Sequence, residues 1–236
     1  MFGSAKLANS EAERKGQMGF VGGIAPGAIF RELSRPMLLE INAKHPEPRK
    51  IERVVEMLRR GSVIAYPTDT VYGLGCDIMN KQAIERITRM KRMKEGQLLS
   101  FVCPDLRDIA RYAFVNDAAY RIMRRLVPGP YTFILLATRE VPKVLQMKRK
   151  TVGIRVPKHE IALQLARVLG SPVASTSASI DGEMLLDPRE IEERFRGVDL
   201  VIDAEGASLT SSTVIDLSGD EPIVVREGAG PVDFLS

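Results

Sequence analysis

Hydroxyl and guanidinium side chains recur inside short apolar stretches of this 236-residue chain, and these are the residue types most able to do chemistry here. They stand at Tyr66-Pro67-Thr68-Asp69-Thr70, at Thr132 after the turn Pro128-Gly129-Pro130, at Arg155, in Ser175-Thr176-Ser177-Ala178-Ser179, at Ser212-Thr213 and in Arg226-Glu227-Gly228. Each alone has a structural explanation, since threonine favours strands, serine caps helices and an isolated arginine pairs at a strand edge. Together they point elsewhere. Arginine offers a planar fork of donors to phosphate or carboxylate, and open α/β sheets bind ligands at strand ends, so the set predicts an anionic ligand.

Other chemistries lack material. Cysteine occurs twice, at Cys76 and Cys103, far apart and with no CxxC, which gives neither a disulfide framework nor a structural zinc site. Both have apolar neighbours and read as buried core, which suits a reducing, cytoplasmic setting. Histidine also occurs twice, at His45 and His159, both expected in turns or at a helix start, so Ser-His-Asp and Cys-His catalysis have almost nothing to use. There is no GxxxxGK[ST] loop, and Gly73-Leu74-Gly75-Cys76-Asp77-Ile78 opens like a dinucleotide fingerprint but carries Ile78 where the last glycine belongs.

The charge balance is mild, with 34 Lys and Arg against 30 Asp and Glu for a net +4, which permits a nucleotide or RNA partner without demanding one. The basic run Arg89, Lys91, Arg92, Lys94 falls at a helix end, where cations complement the macrodipole. Two further groups, Arg121, Arg124, Arg125 and Lys148, Arg149, Lys150, lack interleaved aromatics and read as solvated surface.

The elements that must position these residues alternate in period. Ile51, Val54, Val55 and Leu58 share a helix face, Gly61 suits the left-handed cap, and Ser62 to Tyr66 reads as a strand. Asn80 can cap a helix carrying Ile84, Ile87 and Met90, followed by strand Leu98 to Cys103. Asn116 can cap Tyr120, Met123 and Leu126, followed by strand Tyr131 to Ala137. Thr151 to Val156 alternates, with Val152, Ile154 and Val156 on one face and Arg155 on the other, before a helix ending at Gly170. Asp187-Pro188-Arg189-Glu190 reads as a helix start with a capping box. Strands Asp199 to Ile202, Ser212 to Leu217 and Pro222 to Arg226 close the chain, the last two as a hairpin. Residues 1 to 36 lack sustained period and read as a flexible extension without the pattern of a signal peptide, with Met37 a candidate start. No apolar run approaches the ~20 residues of a membrane span. Residues 37 to 236 thus predict one α/β domain whose twisted open sheet mixes parallel and antiparallel strands between helices.

The segments YPTDTVYGLGCD, the helix ending near Lys91, PGPYTFIL, VGIRVP, STSA, STVIDL and VVREG occur in an order that resembles the YrdC-like threonylcarbamoyl-AMP synthase family, and KRKTVGIRVP with PGPYTFIL is most similar to its YciO branch. The resemblance spans about Ser62 to Gly228. It implies a concave, positively charged cavity that joins L-threonine, bicarbonate and ATP, the last with Mg2+, into threonylcarbamoyl-AMP with release of pyrophosphate, for the N6-threonylcarbamoyl modification of adenosine 37 in tRNA. No protein nucleophile is needed, because a carbamate of threonine attacks the α-phosphorus and the protein has only to position and stabilise anions. Carried over by position, Lys91 and Arg155 would be catalytic, Thr70 would contact threonine, and Thr132, Ser175, Ser177, Ser212 and Arg226 would line the pocket. No metal-ligating residue is implied. The family's synthase pattern has Lys-x-Arg and Ser-x-Asn, whereas this chain reads Lys91-Arg92-Met93 and Ser177-Ala178-Ser179, and the strand around Phe101 lacks a histidine that synthases often place there. The alternative is a non-catalytic protein that binds tRNA or double-stranded RNA in the same basic cavity.

Overall fold

The computed structural model describes residues 36–93, 99–145 and 150–233. The expected extension lies outside the described residues except for Pro36, as do Lys94, Leu98, Lys148 and Arg149.

Helices start and stop where local chemistry dictates. Helix α1 (Pro48–Arg59) begins on a proline and buries Ile51, Val54, Val55 and Leu58. Gly61, just beyond it, takes φ +86°, and a Cβ there would sit 2.6 Å from the Asn80 side chain. Asn80, Asn116 and Asp187 each accept a backbone N–H at the starts of α2 (Lys81–Met90), α4 (Asp117–Leu126) and α6 (Pro188–Arg194). Between them, Asp105 caps α3 (Leu106–Tyr112), and α5 (Glu160–Leu169) ends at Gly170 with φ +75°. Glu190, read as half of a capping box, instead bonds Arg194 Nη1 one turn on at 2.7 Å.

The strands form an 11-stranded mixed sheet in the order β1-β11-β2-β3-β8-β4-β7-β6-β12-β13, with β5 beside β6. Their spans are β1 Met37–Glu40, β2 Ile64–Tyr66, β3 Gly73–Asp77, β4 Ser100–Val102, β5 Ala113–Phe114, β6 Tyr131–Ala137 and β7 Thr151–Arg155. They continue with β8 Val173–Ser177, the separate β9 Ser179–Ile180 and β10 Glu183–Met184 hairpin, β11 Leu200–Asp203, β12 Thr213–Asp216 and β13 Ile223–Arg226. The expected β12–β13 hairpin is present and antiparallel. Most expected strands are present with ends shortened or shifted by one or two residues, whereas β1, β3, β5, β8, β9 and β10, and helix α3, go beyond the sequence reading.

Strand β3 was hidden by its two glycines, which ordinarily weaken a strand. Here they make room for Tyr66 on the neighbouring strand. A Cβ on Gly75 would lie 2.7 Å from both Tyr66 Cε1 and Val173 Cγ1.

Side-chain alternation divides the sheet into two faces. Ala65, Leu74, Phe101, Phe133, Ile154 and Ala174 join one core with Ile84, Ile87, Ile109, Met123 and Ile191 of α2, α3, α4 and α6. Ile64, Tyr66, Val102, Val173 and Leu200 face the other way and pack under α1 and α5. Strand β7 is buried along its whole length, so its alternating sequence marks two different buried surroundings and not an exposed face.

Candidate active site

Helices α1 and α5 cover only part of their face, and where the cover ends the inward-facing residues change from apolar to polar. On β4, Val102 lies in the α1/α5 core while Ser100, two residues away on the same face, lines a cavity. On β8, Val173 is core while Ser175 and Ser177 line the cavity. The register carries the polar row across neighbouring strands: Ser177 lies opposite Gly73, Ser100 opposite Ser175, Val102 opposite Arg155, and Val214 opposite both Thr132 and Arg226. The cavity so formed holds about 190 Å³, and among the described residues its charged lining groups are Arg155 and Arg226, with no carboxylate.

Arg155 is buried and braced from the loop after β2. Its Nη2 donates to Asp69 Oδ1 at 2.5 Å, Thr70 Oγ1 at 2.6 Å and Thr68 Oγ1 at 3.3 Å, whereas its buried Nε has no partner. The far wall is built from the strand hairpin. Thr132 and Ser212 share a hydroxyl hydrogen bond of 2.8 Å, and Arg226 Nη2 donates to the Ser212 carbonyl at 2.8 Å. Burial lowers the Arg226 pKa, and the nearby charge of Arg155 adds to the effect. Thr213 anchors the segment after β13, donating to Gly230 O at 2.6 Å and accepting from Gly228 N at 2.9 Å. That turn passes so close to Ser211 that a Cβ on Gly228 would lie 2.2 Å from its carbonyl oxygen, which requires glycine.

Six of the expected site residues meet here: Arg155, Thr132, Ser175, Ser177, Ser212 and Arg226 all line the cavity. Thr70 is fully buried and serves as an acceptor for Arg155, without facing the space itself. Lys91 is also outside the lining, its ammonium bonded to the carbonyl and hydroxyl oxygens of Ser179, the latter at 2.7 Å. Burial lowers the Lys91 pKa. The helix end explains its direction: Arg92 takes φ +45° and Met93 N bonds back to Thr88 O at 3.0 Å, which folds Met93 against the core.

Ser100 and Ser211 join the lining without having been singled out in the sequence, while Thr68 and Asp69, named there within the Tyr66–Thr70 stretch but with no role, line the cavity and brace Arg155 respectively. The alternation of Ser100 with Phe101 and Val102 was the available signal for the first. Tyr66 donates to Ser175 Oγ at 2.8 Å, and burial raises its pKa to about 12, so it remains a donor. The two thiols are buried, Cys76 pushed up to about 12, and neither lines the cavity. Among the described residues no group of three or more His, Cys, Asp and Glu could hold a metal ion.

The fold and site define an α/β protein whose half-uncovered sheet presents two arginines and a row of hydroxyls to one cavity. A family model named Sua5_yciO_yrdC and described as "Telomere recombination" matches residues 56–228, and the chain belongs to this Sua5/YciO/YrdC family. It is 45% identical over 196 residues to "Uncharacterized protein YciO" of Escherichia coli (strain K12), covering 81% of this chain and 95% of that protein. The crystal structure of E. coli YciO superposes with a TM-score of 0.80, covering 84% of this chain and 98% of the other. A putative threonylcarbamoyl-AMP synthase of Methanocaldococcus jannaschii is 32% identical over 206 residues, 84% of this chain and 96% of the relative. Pyrococcus abyssi Sua5 complexed with L-threonine matches at 30% identity with a TM-score of 0.78, over 84% of this chain and 59% of that longer one. No described helix is long and apolar enough to cross a membrane.

Proposed function

We propose that the cavity forms an adenylate of a carbamoylated amino acid, with L-threonine, bicarbonate and MgATP as substrates and threonylcarbamoyl-AMP and pyrophosphate as products. The observation that carries this reading is the polar row Ser177, Ser175, Ser100, Thr132 and Ser212 on the uncovered sheet face, with Arg155 on the strand between Ser100 and Thr132 and Arg226 beyond its far end. The synthase relative that matches nearly end to end and the threonine-bound Sua5 structure give further support.

In this reading bicarbonate takes up a proton and loses water to give carbon dioxide, and the threonine amine adds to that carbon, loses a proton to solvent and becomes a carbamate. One carbamate oxygen attacks the α-phosphorus, and the bond to the bridging oxygen breaks as pyrophosphate leaves with its electron pair. The chain supplies no nucleophile. Its guanidinium and hydroxyl donors hold the carboxylate and the α-phosphoryl oxygens and stabilise charge as it develops on phosphorus. Such donors cost no reorganisation at the moment of reaction, because Arg155 is fixed by Asp69 and Thr70, and Arg226 by Ser212.

The test is pyrophosphate release by the purified full chain with ATP, Mg2+, bicarbonate and each amino acid in turn. Threonine-dependent release is the expected result. Release with a different amino acid would correct the substrate, and silence with all of them would reject adenylate formation.

A further inference from the structure

The geometry points to Asp69 as a specificity-determining residue: as the buried counter-ion of Arg155 it holds the cavity to one net positive charge, which weakens the hold on free polyphosphates more than the hold on singly charged anionic groups. The inference rests on the reading that an anion occupies the cavity, and it adds which kind of anion Asp69 disfavours more.

The two cavity arginines are electrostatically unequal. The side chains of Arg155 and Asp69 are only 10% and 11% exposed, and they form an ion pair at 2.5 Å. Arg226 has no ion-pair partner among the described residues and bonds only to the neutral Ser212. Asp69 does not itself line the cavity, so it offers no direct obstacle to a ligand and acts only through its field and through Arg155. Two guanidiniums and one carboxylate leave one net positive charge beside the bound group.

Asp69 is fixed on both sides. Its Oδ2 accepts from Lys158 N at 2.9 Å, two residues before helix α5, while Oδ1 takes Arg155. Arg155 Nη2 is thereby consumed by protein acceptors, and the orphaned Nε is left without a partner. The electrostatic work of removing such a counter-charge scales with the charge of the ligand. A trianion therefore responds far more than a phosphodiester monoanion. For the proposed reaction the consequence is directional: the α-phosphoryl group carries one charge and loses little by the presence of Asp69, whereas free pyrophosphate, once formed, is held less tightly than it would be without that carboxylate.

The experiment compares inorganic pyrophosphate with the singly charged adenosine 5′-methylphosphate, titrated calorimetrically into the full chain at low ionic strength without Mg2+. Asp69→Asn should bind pyrophosphate more tightly by about fivefold and the methyl ester by about twofold at most, and added salt should erode the difference. Asp69→Glu keeps the charge and should keep the wild-type ratio. Asp69→Ser removes the charge by another route, so a misfolded Asn variant does not decide the matter. A merely structural role would weaken both ligands together. Pyrophosphate affinity that is unchanged, weaker or absent in the folded uncharged variants overturns the inference. A shifted ratio in a protein that makes no adenylate would reject the proposed reaction and leave the role of Asp69 standing, and adenylate formation without the shift would do the reverse.

Discussion

Lys91 Nζ donates to Ser179 Oγ at 2.7 Å and to the Ser179 carbonyl, so the cation just past the end of helix α2 is fastened to strand β9 and stands outside the cavity lining. Arg226, by contrast, faces the cavity without a carboxylate partner among the described residues. The two cations should therefore answer differently to truncation. Arg226→Ala should weaken ATP binding by about 1.5–3 kcal/mol, the range for a charge-assisted bond to phosphate. Lys91→Ala should cost less than about 1 kcal/mol. Calorimetric titration of both variants checks this, and equal losses would place the Lys91 ammonium on the nucleotide.

The double substitution Met93→Arg with Ser179→Asn restores the residues that the synthase pattern places there. Met93 packs against the core, so an arginine must leave that contact or bury its charge. Ser179→Asn alone should alter turnover without lowering the melting temperature much. Adding Met93→Arg should raise pyrophosphate release further but destabilise the fold by about 1–3 kcal/mol. Parallel thermal melts and product assays would separate the two effects.

Gly75→Ala should destabilise by about 1–3 kcal/mol, because its Cβ would fall 2.7 Å from the ring of Tyr66 and from Val173. The displaced ring would also pull its hydroxyl from Ser175, so ligand affinity should fall with stability. Urea melts together with titration of the same variant test this. Unchanged stability would mean that Tyr66 yields freely.

His159 lies buried just before α5, with Nε2 bonded to the Glu205 carbonyl at 3.0 Å and Nδ1 unpartnered. Burial lowers its pKa below the ordinary histidine value near 6.5, so the unfolded chain takes up the proton first as pH falls. Stability contributed by the neutral ring is present above about pH 6.5, is lost as pH drops below it, and levels off once the folded form is protonated too. His159→Gln should flatten the melting temperature between pH 7.5 and 5.5 relative to wild type. An identical slope in both proteins would show that His159 is not the titrating group.

Much of this arrangement was legible in the sequence because local rules and tertiary packing agreed. Asn80, Asn116 and Asp187 cap the helices that they precede, and Gly170 closes α5 in the left-handed conformation. The polar residues interrupting apolar strands, Thr132, Arg155, Ser175 and Ser212, converge on one cavity. What the sequence concealed depended on contacts between distant segments. Strand β3 needs its glycines because Tyr66 occupies their side-chain space, and the direction of Lys91 depends on Ser179, 88 positions away. Thr70 is a brace and not a lining residue because Arg155 reaches across 85 positions to meet it. No local pattern encodes such a partner.

The most direct test of the proposed reaction is to supply 13C-bicarbonate with ATP, Mg2+ and L-threonine to the purified chain and follow the adenylate by mass spectrometry. A threonine-AMP conjugate carrying one labelled carbon, formed with an equal amount of pyrophosphate, is the predicted result. Pyrophosphate without a labelled conjugate, or no product while ATP is bound, would contradict it.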